Sequence, residues 1–275
     1  MFSHAARRHF PAILLSAVAA FAVHGSATAA GIIPVDALNV AGVKLGMTAD
    51  EVVAALKKTK PDYVIAKRYS REAYKDDIYL GDDVQQKEGK NFLNGIAAMD
   101  PANAANGYLL YSKLLPKPGW PVVTNDGVKY NYDAIKINLS PLPINGAQRV
   151  IGIVENSIYL SSIPQNLPNN GDLEDTLSDH YGDPKNATLF GDKLNAEMIY
   201  DENNILLNKS QASSRHLNGL NMGKFDNINP QKPNQNRGVS VSYSTESFYN
   251  ALYVNVALYD RGALADAFLL SGVEH

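Results

Sequence analysis

A chain of 275 residues with 25 Lys+Arg, 28 Asp+Glu and no cysteine is long enough to bury a sizeable core without staples. Its mild acidity, spread along the chain, offers neither the basic face of a nucleic-acid binder nor a patch suited to an anionic membrane. Lack of cysteine excludes disulfides, thiol nucleophiles, Cys-ligated zinc and a lipid anchor on an N-terminal cysteine.

Residues 1–30 divide into the three parts of an export signal. Arg7 and Arg8 give the positive start, 10–23 is an apolar run, and Ala27-Thr28-Ala29 is a small-x-small site. The run is shorter than the 18 or more residues a spanning helix needs, and no later stretch is long enough. Cleavage near Ala29/Ala30 is therefore expected to leave a periplasmic or secreted chain with no transmembrane segment. Its charge becomes −5, from 23 Lys+Arg and 28 Asp+Glu. Arg7-Arg8-His9-Phe10 resembles a twin-arginine signal, but Pro11 and Ala12 depart from it, and the general secretory route is the expectation.

Thr48 and Glu51 stand at capping-box spacing, and Ala49, Val52, Val53 and Leu56 share one helical face. This predicts a helix ending near Lys60, before Pro61. A strand is expected over 63–74. Phe92, Leu93, Ile96 and Met99 have helical spacing and predict a short helix over 90–99, stopped by Asp100-Pro101. The prolines of 115–121 make a loop around Trp120.

From 128 onwards strands dominate. Segments 130–139 and 149–160, separated by the Pro/Asn/Gly region 140–148, predict an antiparallel pair. Leu173, Leu177 and Tyr181 define a second helix over 171–181, with Gly182 as its C-cap and Pro184 as its stop. Leu194, Ala196, Met198 and Tyr200 alternate in a strand. The Asn-rich stretch 203–237 reads as an exposed loop. Strands 239–245 and 251–259 follow, then a helix over 261–270 burying Leu264, Ala267 and Phe268. Few helices beside many strands, without regular βαβ alternation, predicts an α+β fold of amphipathic helices on a mostly antiparallel sheet. Two similar helix-plus-strands units are expected over 31–127 and 128–275, compatible with one continuous domain. An outer-membrane barrel would need more strands and fewer helices.

Gly46-Met47-Thr48-Ala49-Asp50-Glu51-Val52 resembles the G-M-T-x-x-E-V helix opening of the small barrel-assembly lipoprotein family of the bacterial outer membrane, and is similar to β-lactamase-inhibitor-protein folds. Arg149-Val150-Ile151-Gly152-Ile153, followed by Tyr181-Gly182-Asp183-Pro184, looks like exported bacterial proteins that pair it with the first motif. The resemblance implies helices laid on antiparallel strands and a role in binding other proteins.

Chemistry is sparse. Beyond the signal, histidine occurs at His180, His216 and His275, with no metal-ligand spacing between them. A histidine in a helix's last turn, as expected of His180, suits the helix dipole. The G-x-S-x-G elbow, the phosphate loop and the dinucleotide fingerprint are absent. Asp172, Glu174, Asp175, Asp179 and Asp183 fail the calcium-loop pattern and are expected on a solvated helix face. No catalytic residue, cofactor or metal is assigned. The binding candidates are Trp120, an aromatic between prolines, and His180; Tyr243 and Tyr253 are expected in the core or on a sheet face.

The expected function is a non-enzymatic exported module binding another envelope or secreted protein, through a sheet face or the 203–237 stretch. The alternatives are a secreted hydrolase of envelope or extracellular polymers, using carboxylates or His180, and a small-ligand-binding protein.

Overall fold

The computed structural model describes residues 32–70, 92–99, 132–140, 143–160, 167–183, 185, 195–213, 237–248 and 251–270. The expected export signal, the expected loop at 115–121 with Trp120, Pro184 and Leu194 lie outside the described residues, as do His216 and His275.

Helix α1 (Ala49–Thr59) opens as its capping chemistry dictates. The Thr48 side chain accepts from the Glu51 amide, and the Thr48 amide donates back to Glu51 Oε2 at 2.7 Å. Both otherwise unpaired amides are thus satisfied. The apolar face buries Val52 and Leu56 completely.

Seven strands form one antiparallel sheet: β1 (Val64–Ser70), β2 (Phe92–Met99), β3 (Tyr132–Leu139), β4 (Val150–Leu160), β5 (Asn195–Tyr200), β6 (Val239–Phe248) and β7 (Ala251–Asp260). Their spatial order is β1-β2-β3-β4-β7-β6-β5. The order reads outward from the β4–β7 pair: β3, β2 and β1 to one side, β6 and β5 to the other. The other helices are α2 (Asn170–Tyr181), the short α3 (Lys209–Ser213) and α4 (Arg261–Leu270). This is the α+β class, with helices on a fully antiparallel sheet.

One face of the sheet carries the main core. Ile135 and Ile137 of β3, Ile153 of β4, Val241 and Tyr243 of β6, and Val256 and Leu258 of β7 meet α1 through Leu56 and α2 through Leu177 and Tyr181. On the opposite face Val154, Ala257 and Tyr259 pack against Leu264 of α4. Tyr243 and Tyr253 are buried, as expected. Gly182 ends α2 with φ +111°, its amide donating to Ser178 O at 2.9 Å.

Two expectations are corrected. Segment 92–99 is strand β2, not a helix. Residues Gly95 to Met99 are all buried, so both sheet faces demand small or apolar side chains and no alternation develops. Such a run matches helical spacing by accident. The Asn-rich stretch, in turn, is not wholly exposed loop. It contains α3, whose Ala212 packs with Leu207 against Ile199 on β5. The remainder, 214–236, lies outside the described residues.

Candidate functional site

Alternation along β3 and β4 places Asp133 in phase with Ile135, and Glu155, Ser157 and Tyr159 in phase with Ile153. Polar groups therefore project into the helix-covered face. Lys60, at the C-cap of α1, reaches over them. Its Nζ stands 2.8 Å from Asp133 Oδ2 and 3.7 Å from Glu155 Oε1. Asp133 also accepts hydrogen bonds from the Tyr63 hydroxyl and, at 3.0 Å, from Ser157 Oγ. The Lys60 ammonium lies 4.9 Å from the Tyr63 ring centroid, a cation–π distance.

Side-chain exposures of 8 % for Lys60, 16 % for Asp133 and 15 % for Glu155 make this a buried charge cluster. Burial, then the charge of Asp133, pushes the Glu155 carboxyl up to about 8, although Lys60 opposes the shift. Burial works against the Lys60 ammonium, but the two carboxylates outweigh it and raise its pKa. Tyr159 is pushed up to about 12 by burial and by the same two carboxylates.

His180 lies in the last turn of α2, half-buried, with its ring centroid 6.0 Å from that of Tyr181. With Leu177 and Tyr181 it walls a crevice of about 60 Å³ whose floor includes Glu155, Ser157 and Tyr159. The structure thus places His180 and Glu155 in the lining of one crevice, which the sequence did not indicate. A crevice of this size admits a few water molecules; it gives Glu155 a route to solvent rather than a bed for a polymer. Asp172, Asp175 and Asp179 are exposed, as expected of a solvated face. Glu174 departs from that expectation. It is 9 % exposed and its Oε1 accepts from Thr245 Oγ1 at 3.4 Å, because α2 lies against β6 there.

A larger open cavity, about 610 Å³, occupies one end of the sheet, where the β3–β4 turn, the turn after β5, the start of β6 and the start of α4 converge. Its lining includes Ser140, Ile144, Asp201, Gly238, Asp260 and Ala263. Asn145 and Gly146 take positive φ in the two-residue turn between Ile144 and Ala147. Asp201 Oδ1 accepts the amides of Asn203 and Ile205, each at 2.9 Å, and shapes the facing turn.

Gly238 has φ +102°, and a Cβ there would fall 2.0 Å from Tyr200 O. Only glycine lets these backbones approach so closely. Asp260 caps α4 by accepting the Ala263 amide at 2.8 Å. Burial raises its carboxyl pKa against the pull of the Ala263 and Gly262 amides. Arg237 and Asp266 stand 3.7 Å apart with roughly half-exposed side chains, a weak pair. Ile144 at the lip and the neighbouring Ile205 are 40 % and 61 % exposed.

Among the described residues no helix is long and apolar enough to cross a membrane. None of these residues forms a group of three or more His, Asp or Glu placed to hold a metal ion. No family model, curated protein or solved structure matches this chain.

Proposed function

We propose that the protein is an exported, non-enzymatic binding module that holds a segment of another envelope or secreted protein in the cavity at the end of the sheet. The observation carrying this reading is the cavity itself. Its volume of about 610 Å³ lies within the roughly 300–1,000 Å³ typical of ligand sites. Exposed Ile144 gives its lining an apolar grip, exposed Ile205 follows the lining residue Asn204 in sequence, and the carboxylates of Asp201 and Asp260 supply polar anchors within. Asn204 and Arg237, near the two ends of the Asn-rich stretch, both line it, which joins the expected binding segment to an actual concavity.

Export rests on residues 1–30, with their paired arginines, apolar run and small-residue site. The strand order about β4–β7, with α1 preceding β1–β4 and α2 preceding β5–β7, supports a reading as two similar units that meet between β4 and α2 rather than at 127/128. The G-M-T-x-x-E-V resemblance supports protein binding in particular. The same cavity volume favours small-ligand binding as a second reading.

The test is the double substitution Ile144→Glu with Ile205→Glu. Both side chains are exposed, so the fold should tolerate the change, whereas a partner seated on the cavity margin should lose at least tenfold in affinity, about 1.4 kcal/mol. Val64→Glu, at a site in edge strand β1 as exposed as Ile144, should leave binding intact. Equal effects of the two changes would remove the cavity from the account.

A further inference from the structure

Two carboxylates, Asp133 and Glu155, share one ammonium group, Lys60, beneath the helices. Fully ionised, the three would leave a net charge of −1 in a site at most 16 % exposed. An uncompensated buried charge is expensive, so such a cluster retains a proton. Asp133 is the wrong place for it, because Lys60, Tyr63 and Ser157 all donate to its oxygens and stabilise the carboxylate. Glu155 stands farther from the ammonium and opens on the crevice beside His180. The proton therefore belongs on Glu155.

The groups facing Glu155 come from every element packed around it. The end of α1 and the turn after it present Lys60 and Tyr63, and β3 presents Asp133. Its own strand gives Ser157 and Tyr159, and α2 gives His180 and Tyr181. Strand β7 contributes only apolar Val254 and Val256, while Asn39 adds an uncharged amide.

We propose that Glu155 is a proton-operated latch for α2. Protonated, it completes a neutral cluster on which Leu177 and Tyr181 seat the helix. Ionised, it leaves a net negative charge on the crevice floor, and the water that enters to hydrate it loosens the last turns of α2. The Ser178–Tyr243 contact (3.0 Å) and the hydrogen bond from Tyr243 to Gly182 O (3.2 Å) keep the helix end tethered to β6 while it loosens.

The sign follows from proton counting. Seated, Glu155 titrates near 8; loosened, it reverts towards the ordinary carboxyl value of 4.5. Between those values loosening releases one proton, so its equilibrium constant should rise up to about tenfold per pH unit. Above 8 and below 4.5 it should level off.

The experiment is hydrogen exchange of the α2 amides from pH 5 to 9, corrected for intrinsic exchange, in the full chain and in Glu155→Gln. The wild-type chain should lose α2 protection as pH rises, while β6 amides hold theirs and Glu155→Gln stays flat. A flat wild-type profile, or an equal slope in Glu155→Gln, overturns the latch. Should the variant fail to fold, carbon-13 titration of the wild-type Glu155 carboxyl decides. A midpoint near 8 upholds the proposal and one near 4.5 overturns it.

Discussion

Asn156 and Asn255 stand directly opposite each other on the paired strands β4 and β7, and Asn255 Nδ2 donates to Asn156 Oδ1 at 2.7 Å. The pair marks the line about which the strand order reads outward in both directions. Each amide is half-buried, so removing one leaves the other short of a partner. Asn156→Ala and Asn255→Ala should each cost about 1 kcal/mol. The double variant should cost clearly less than their sum, because the two side chains satisfy each other. Denaturant unfolding of the four-member cycle checks this; strict additivity would mean the hydrogen bond contributes nothing.

Lys60 is the only cation that the described geometry places between Asp133 and Glu155. Replacing it by Met leaves the buried Asp133 carboxylate without its ammonium beside the Glu155 carboxyl, and such a loss typically costs about 3–5 kcal/mol. The deficit should shrink in acid. Without the opposing pull of Lys60, the Glu155 carboxyl, already raised by burial and by Asp133, stands further above its unfolded-state value, so its stability contribution is present below that value and lost as pH rises. Thermal unfolding of Lys60→Met at pH 4.5 and pH 8 should show the larger deficit at pH 8. A deficit independent of pH would assign Lys60 a packing role only.

Gly238 admits no side chain. With φ +102° and Tyr200 O only 2.0 Å from the position of a Cβ, Gly238→Ala must displace either β6 or the end of β5. A cost of about 1–3 kcal/mol is expected from the backbone strain alone, and a lower melting temperature would report it. Since Arg261 donates its amide to Gly238 O at 2.9 Å, the start of α4 should move as well. Unchanged stability would mean that the contact relaxes freely.

Thr48→Ala removes the side-chain oxygen that accepts the Glu51 amide and should cost about 1 kcal/mol. Adding Glu51→Ala should cost little more, because the capping box is reciprocal. Calorimetry of the single and double variants distinguishes a working box from two independent surface residues.

Where one face of an element is polar, the sequence displayed it. Strand β6, helix α2 with its Gly182 C-cap, and the capping box of α1 were all legible because alternation and capping chemistry are local; β7, covered on both faces, was legible because its branched and aliphatic face alternates with Tyr253, Asn255, Ala257 and Tyr259. Strand β2 was not, since burial on both faces erased the period. The charge cluster left a trace that went unread: Asp133 and Glu155 occupy core phases in otherwise apolar alternation, and a carboxylate there needs a buried partner. The partner, Lys60, lies 73 residues before Asp133, and no local pattern links them. The sheet-end cavity left no trace at all. Its walls come from the β3–β4 turn, the turn after β5, the start of β6 and α4, brought together only by strand order. The type of His180 is legible in the sequence, but Glu155, which shares its crevice, emerges only from the placement of α2 over the sheet.

The central claim, that the sheet-end cavity holds a partner protein, is tested most directly by site-specific photocrosslinking in cells. A photoreactive residue would be placed in turn at Ile144, Ile205 and Val64 in the full chain, residues 1–30 included. The account predicts the same discrete protein adduct from Ile144 and Ile205 and none from Val64. An adduct from Val64 alone, or no protein adduct from either Ile144 or Ile205, would contradict it.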